Sequence, residues 1–262
     1  MAETVKITFT DTIGVPDKYS PKPASKYVPD WHKELESYVG KEKKPNGSGG
    51  TSATIKRCMP VFDAIAAGYI ITSYVDIYVS QTDVFYADKS YYDKTGKTRS
   101  LSKVQIKKRN LKETMPHYEW PSYSPIDFHS SDQLPNYPNN PGHISYPKWI
   151  NPWGITTPSG YSTLFIAPMH RSSVFTILEG VVDTDEYNAA VNFPFVLNDI
   201  SYEGLIPAGT PIAQVIPFKR DSWEMQIGSV EESKSQFKIT QALRTKFFDS
   251  YKSQFRQSKE YK

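Results

Sequence analysis

The chain has 262 residues, of which 38% are hydrophobic and 14% aromatic, and its formal net charge is +3. This length and apolar content suffice for one large core, alone or with a small appendage, and exclude a disordered chain. The single cysteine, Cys58, excludes an intramolecular disulfide scaffold and a cysteine-rich zinc module, and we expect a buried, unreactive thiol. No apolar run reaches 18 residues and the N-terminus lacks a signal-peptide pattern, so we expect no membrane partner. The small net charge does not by itself indicate a nucleic-acid partner.

The abundance of proline and aromatic residues favours strands and turns over a helical bundle. The chain contains 20 Pro, 18 Tyr and 13 Phe. We therefore expect a mainly β protein, with a single β-sandwich or barrel core, long proline-rich loops and a C-terminal helix. Three segments are predicted. Residues 1–50 form an N-terminal strand and an extended arm, and residues 51–232 form the β-rich core with inserted basic and proline-rich loops at 88–148. Residues 233–262 form the C-terminal helix.

The N-terminal third contains two short periodic segments. Val5, Ile7 and Phe9 alternate with polar residues, which predicts a half-buried strand. A short helix is expected to begin at Asp30, with that side chain as its N-cap. A turn near Gly68 should separate an apolar segment from one or two strands.

The middle of the chain is first basic and then rich in proline. Residues 88–112 hold nine Lys or Arg against two Asp, which is the composition of a phosphate-contacting patch or of a solvated hairpin. We favour the solvated hairpin. Residues 113–148 contain seven prolines mixed with aromatic residues. We expect an ordered loop that wraps over the body or over a neighbouring subunit.

The last third combines strand patterns with a polarised charge distribution. Residues 149–220 show short apolar runs with turns about every ten residues, the spacing of a sandwich or barrel. Residues 176–232 carry ten acids and two bases, whereas residues 233–262 carry eight bases and two acids. The predicted C-terminal helix has an apolar stripe that we expect to dock on the body or on a partner subunit. The stripe consists of Leu243, Phe247, Tyr251 and Phe255.

Metal, nucleophile and dinucleotide motifs are not found. The five histidines lack metal-pair spacing, although His117, His129 and His143 share the proline-rich stretch. There is no GxSxG elbow and no glycine-rich dinucleotide fingerprint. We expect no cofactor and no metal.

Three motifs occur in order between residues 168 and 218: PMHRSS, GVVDTDEY and IPAGTPIAQVIPF. In that order they resemble motifs of the trimeric dUTP nucleotidohydrolase (dUTPase) and dCTP deaminase superfamily. The resemblance implies a dUTPase-like fold and a homo-oligomer, with a trimer suspected. It also implies that the Arg-Ser-Ser motif binds phosphate and that the Asp and Tyr of the second motif position water and nucleoside. Carried over by position, the candidate ligand-binding residues are Arg171, Ser172, Ser173, Asp183, Asp185, Tyr187 and Gln214.

The chain departs from that family at two positions. Ala66-Ala67-Gly68-Tyr69 faintly resembles the family's first motif, Ala-Gly-Tyr-Asp, but Ile70 follows where the family has the aspartate. Glu186 separates Asp185 from Tyr187. The first hypothesis is therefore binding of a small anionic, nucleotide-like ligand without hydrolysis, with no catalytic residue assigned. A third hypothesis, ranked after a structural role that is described below, is a nucleotide pyrophosphohydrolase.

A purely structural interpretation of the same residues stays open. Asp183 and Asp185 can cap a turn. Arg171 can pair with one of the many acids of residues 176–232, and Gln214 can satisfy backbone groups.

The wider sequence resembles uncharacterised proteins of contractile-tailed phages, notably those of marine cyanobacteria. The stretches that carry the likeness include KWINPWGITTPSGYSTLFIAPMHR and FTILEGVVDTDEYNAAVNFPF. This resemblance implies a viral source and a location in the host cytoplasm or the virion. The second hypothesis is accordingly a structural or interaction protein of a phage particle.

Overall fold

Contacts divide the chain into two compact units. The computed structural model describes residues 4–40, 53–80, 83–86, 125–130, 133–134, 137, 145–199, 201–245 and 251–262. Unit 1 comprises Met1–Lys22 and Gly68–Lys219, and unit 2 comprises Pro23–Ala67 and Arg220–Lys262. The basic segment 88–112 lies outside the described residues, so its prediction stays a prediction.

The described fold is mainly β, as the composition predicts. In chain order the strands are β1 (Thr8–Asp11), β2 (Lys22–Pro23), β3 (Tyr69–Thr72), β4 (Ile77–Ser80), β5 (Asp83–Tyr86), β6 (Ile126–Ser130), β7 (Ser145–Trp149), β8 (Trp153–Thr156), β9 (Tyr161–Ile166), β10 (Phe175–Ile177), β11 (Gly180–Val182), β12 (Phe193–Leu197), β13 (Gly204–Ile206) and β14 (Pro211–Lys219). They pair in the orders β1-β8, β10-β12-β7-β6, β11-β9-β14-β3-β2 and β13-β4-β5. Each order is open, so the described strands do not form the closed barrel that was one of our two expectations.

One hydrophobic core spans the two largest sheets of unit 1. Phe165 of β9 and Phe193 of β12 meet with ring centroids 5.6 Å apart, which links the five-stranded sheet to the four-stranded sheet. Trp149 of β7 stacks on Phe195 of β12 at 5.3 Å. Burial of such aromatic side chains is the largest single source of stability available to this core.

Two strands occur inside the stretch for which we expected only loop. β6 and β7 pair antiparallel, with Phe128 opposite Pro147 and Ile126 opposite Trp149. On its other side β7 pairs with β12 only at Lys148 and Trp149. Pro147, which has no N–H to donate, therefore lies beyond the part of β7 that pairs on both sides. Periodicity does not predict this hairpin, because a proline interrupts the pattern and each strand is short.

The predicted turn at Gly68 is confirmed. Gly68 has a φ of +67°, which only glycine adopts readily. A Cβ at this position would lie 2.0 Å from the Val215 carbonyl oxygen, so the close approach of β14 also requires glycine.

Unit 2 contains the described α-helices. These are α1 (Asp30–Glu34), α2 (Met59–Ala66) and α3 (Val230–Thr245), and a single π-turn follows at Tyr251–Phe255. None of the described helices combines the length and the apolar character needed to cross a membrane.

Two helix predictions need correction. The N-cap of α1 is Pro29, and Asp30 is the first helical residue, because the Pro29 carbonyl accepts the first backbone hydrogen bonds, from the N–H groups of His32 and Lys33. The described helix α3 begins at Val230, before the predicted start at residue 233, and after the π-turn the residues from Arg256 onward are not helical. Of the predicted apolar stripe, Phe247 and the side chain of Leu243 lie outside the described residues, and Tyr251 and Phe255 are exposed.

Candidate functional site

Asp183, Thr184 and Asp185 directly follow β11 and form what we call the Asp-Thr-Asp turn. The Ser162 hydroxyl donates to Asp183 Oδ1 at 2.6 Å, and the Gly160 backbone N–H donates to Asp185 Oδ2 at 2.8 Å. Both carboxylates therefore bind groups at the start of β9. Both aspartates thus make structural contacts with residues 21 and 25 positions earlier, and these two bonds are not the local turn caps of the structural interpretation.

Thr184, between the two aspartates, is completely buried and joins a cluster of three hydroxyls. Its Oγ1 lies 2.7 Å from Thr157 Oγ1 and 2.8 Å from Thr163 Oγ1. The backbone N–H of Thr157 also donates to the Thr184 carbonyl at 3.2 Å. Because buried hydroxyls need partners, this cluster fixes the turn against β9 and the loop before it. The sequence offered no signal for it, since a threonine between two acids looks like an exposed loop residue.

Gln214 is also committed to a structural contact. It lies on β14 opposite Ile166 of β9 and is 1% exposed. Its Oε1 accepts a hydrogen bond from the Met169 backbone N–H at 2.9 Å. Gln214 therefore holds the segment that leaves β9 toward Arg171, as the structural interpretation predicts.

The Arg-Ser-Ser segment begins at a residue with an unusual backbone. His170 has a φ of 56° and is the only non-glycine residue with positive φ in the part of the chain that the structure describes. Arg171 is half-buried, whereas Ser172 and Ser173 are exposed. The Ser173 Oγ accepts the Phe175 N–H at 3.3 Å. Non-glycine residues with such φ values are found disproportionately at functional sites.

The two halves of the candidate site are attached to opposite ends of β9. Asp183 is bound to Ser162 at the start of the strand, and Gln214 faces Ile166 at its end. Ser162 and Ile166 are four positions apart on the strand, which is about 13 Å at the usual rise of a β-strand. Tyr187 follows the Asp-Thr-Asp turn and is exposed.

Unit 2 holds an ion-pair cluster that sequence reasoning missed. The Arg256 guanidinium contacts both carboxylate oxygens of Asp63, with the shortest distance, 2.7 Å, between Nη2 and Oδ1. Lys259 Nζ lies 3.0 Å from Asp63 Oδ2. The hydrogen bond from Arg256 is the main reason that the pKa of Asp63 falls below its ordinary value of 3.8. The partners are 193 residues apart in sequence, so no local pattern could pair them.

A cavity of about 310 Å³ adjoins this cluster, within unit 2. Phe62 and Tyr261 contribute aromatic lining, and Arg256 and Lys259 contribute positive charge. Because Arg256 and Lys259 both bind Asp63, we interpret the cluster as a contact that holds the C-terminal segment on α2, and we assign the cavity no ligand.

Among the described residues, no group of three or more His, Cys, Asp and Glu side chains is placed to hold a metal ion. His117 and His143 lie outside the described residues, and His129 Nδ1 lies 3.0 Å from Gln133 Oε1. Cys58 is half-buried and precedes α2, so the expectation of a fully buried thiol is wrong. The reason is its place at a helix N-terminus, where its carbonyl accepts the Val61 and Phe62 backbone N–H groups.

The most exposed apolar residues lie directly after β14. Residues 220–229, which we call the exposed arm, have neither helix nor strand. Trp223, Met225 and Ile227 are 91%, 85% and 86% exposed. The described side chains from Val230 to Ile239 of α3 are exposed as well. The alternation Trp-x-Met-x-Ile was the available sequence signal, and strand periodicity could have found it.

Comparison of the chain with protein-family models gives no match. Comparison with curated protein sequences gives no match either.

Proposed function

We propose that the protein is a structural or interaction protein that binds a protein partner through the exposed arm. The observation that carries this proposal is the near-complete exposure of Trp223, Met225 and Ile227 within five residues of chain. Large apolar side chains grouped on a surface mark interaction sites, because leaving them in water costs free energy that a partner can recover.

The charge distribution supports association. Residues 176–232 are strongly acidic and residues 233–262 strongly basic. Complementary charges of this kind steer partners together and fix their register. The resemblance to phage proteins adds a setting, assembly in the host cytoplasm or within the virion.

Photo-crosslinking tests this proposal. A photoreactive amino acid replaces Trp223 in the full-length protein in its host, and a matched protein carries it at Val39, which is exposed outside the arm. We expect one defined protein adduct, of this chain or of another, from position 223 and only diffuse background from position 39. Equal background from both positions would overturn the proposal.

A second candidate function is binding of a small, nucleotide-like anion in a β-sandwich of the dUTPase-like kind. The observation that favours it is the pair of exposed serines, Ser172 and Ser173, which follow Arg171 in sequence and come after the left-handed His170. A guanidinium with adjacent hydroxyls suits a phosphate. Hydrolysis is not proposed, because Asp183 is bound to Ser162 at the other end of β9. The motif resemblance suggests a trimer for this ligand-binding form.

Thermal unfolding with nucleotides, cyclic nucleotides and sugar phosphates tests the second candidate. A ligand at 100 times its dissociation constant should stabilise the protein by about 2.7 kcal/mol. Arg171→Ala should abolish this stabilisation, and Arg220→Ala, in the exposed arm, should retain it. No shift with any compound, or the same shift in Arg171→Ala, would count against the site.

A further inference from the structure

One face of the five-stranded sheet carries an apolar strip that is half-buried at Leu164 and Ile216, is exposed at Val181 and Phe218, and ends at an exposed edge. Val181 of β11 lies opposite Leu164 of β9, which in turn lies opposite Ile216 of β14. Directly opposite residues share a face of a sheet, and this face is the one opposite to the buried pair Phe165 and Val215. Two residues on from Ile216, Phe218 extends the same row. We call Val181, Leu164, Ile216 and Phe218 the apolar strip.

The edge of this strip is open and acidic. β11 is the outermost strand of its sheet among the described strands, and Val181 is 58% exposed. Glu179 precedes β11, and Asp183 and Glu186 follow it. From residue 172 to residue 218 the sequence contains six acidic residues and no Lys or Arg. An exposed edge strand presents unpaired backbone groups that another strand can bind.

The exposed arm has the complementary properties. Its apolar residues Trp223, Met225 and Ile227 alternate with polar ones, so an extended arm would place all three on one face. The chain that follows, residues 230–262, is basic overall, with eight Lys or Arg against four acids, whereas the arm itself carries one Arg and two acids. An apolar strand followed by a basic tail therefore matches an apolar strip bordered by acids.

We propose that the exposed arm of one copy of this chain adds as a strand along β11 of a second copy and covers the apolar strip there. This inference rests on the proposed function and names the partner. Strand addition satisfies the backbone groups of β11, and Trp223 covers Val181. The basic tail then lies near the acids that flank β11.

The surface area that one arm can bury favours a second copy of this chain over an unrelated partner. A stable interface needs about 800 Å² from each partner. One tryptophan supplies roughly 150–250 Å², so a single arm falls short. Every copy carries both an arm and a strip. Reciprocal exchange or a closed ring therefore gives each copy two contacts.

Complementation between two defective variants tests this arrangement. Trp223→Ser with Met225→Ser removes the arm surface, and Val181→Lys removes the strip while changing only an exposed side chain. We expect the parent to self-associate, each variant alone to be monomeric, and an equimolar mixture to form a one-to-one complex that is at least tenfold weaker than the parent assembly. Sedimentation velocity, with one variant carrying a mass tag, measures all three states. Val5→Ser, which changes an exposed valine elsewhere in unit 1, is the matched control and should associate like the parent.

The outcomes separate this inference from the proposed function. A parent that stays monomeric at about 100 μM, or variants that associate as the parent does, would overturn the second-copy inference. Photo-crosslinking from position 223 would then test the proposed function independently, because a defined adduct with another protein would still support it. Circular dichroism and thermal melting show whether each variant folds, and Val181→Thr replaces Val181→Lys if the lysine variant unfolds. Self-association that does not weaken between 50 and 500 mM salt would also contradict the charge pairing.

Discussion

Thr184→Val tests whether the Asp-Thr-Asp turn is held by its buried hydroxyl cluster. Valine has nearly the shape of threonine, so the substitution removes the hydroxyl and leaves the packing almost unchanged. Thr163 loses a hydrogen bond of 2.8 Å and Thr157 one of 2.7 Å. Thr157 keeps a second acceptor, the Tyr161 carbonyl, at 3.3 Å.

The expected loss of unfolding free energy is about 2–3 kcal/mol. A buried polar group left without a partner costs about 1–3 kcal/mol, and Thr157 should lie at the lower end because it retains one bond. Denaturant unfolding followed by the fluorescence of the buried Trp149 and Trp153 measures the change. Thr156→Val, at an exposed neighbouring position, is the control and should stay within about 0.5 kcal/mol of the parent.

The triple variant Thr157→Val, Thr163→Val, Thr184→Val sharpens the test. Replacing all partners by apolar groups leaves no orphaned hydroxyl in the cluster, so the triple variant should lose less stability than the sum of its three single variants. The reasoning is refuted if Thr184→Val matches the Thr156→Val control, or if the three losses simply add.

Three further predictions concern backbone geometry and the ion pair. Gly68→Ala should unfold the protein or lower its free energy of unfolding by about 2 kcal/mol or more in denaturant titration, because the alanine Cβ would overlap the Val215 carbonyl oxygen. His170→Val should cost about 1–2 kcal/mol in the same assay, because a β-branched residue is strained at positive φ, whereas His170→Gly should stay near the parent. Asp63→Asn should raise amide hydrogen exchange in residues 251–256, because Arg256 loses its carboxylate partner.

The ion pair also gives the Asp63 prediction a pH dependence. The pKa of Asp63 is lowered in the folded protein, so its contribution is fully present above the ordinary carboxyl value of 3.8 and is lost as the pH falls below it. Protection factors in residues 251–256, which correct for the slower intrinsic exchange at low pH, should therefore fall at acid pH in the parent and much less in Asp63→Asn. An equal acid response in both proteins would show that other carboxylates fasten this segment.

Local patterns predicted the β-rich character and the turn at Gly68, because alternation and a glycine between apolar runs are local signals. The helix α2 was not distinguished from a strand, since its residues Met59–Ala66 are apolar on nearly every side. The hairpin of β6 and β7 depends on pairing between strands that a proline interrupts.

The candidate site was predictable only as a set of residues, because its geometry depends on partners distant in sequence. Asp183 is bound to a serine 21 positions earlier, and Gln214 to a backbone group 45 positions earlier. The order of the motifs alone does not show that these polar groups make structural contacts with the sheet and its connecting segments. The exposed arm is the opposite case: its alternation was visible in the sequence, but its lack of burial was not.

The ion pair between Asp63 and Arg256 has a consequence for the newly made chain. Because the two residues are 193 positions apart, Asp63 leaves the ribosome roughly 10–40 s before Arg256 at ordinary rates of synthesis. During that interval α2 lacks the C-terminal segment that it will bind. A nascent chain stalled before Arg256 should therefore expose α2 to chaperones and proteases, and emergence of Arg256 and Lys259 should end that exposure.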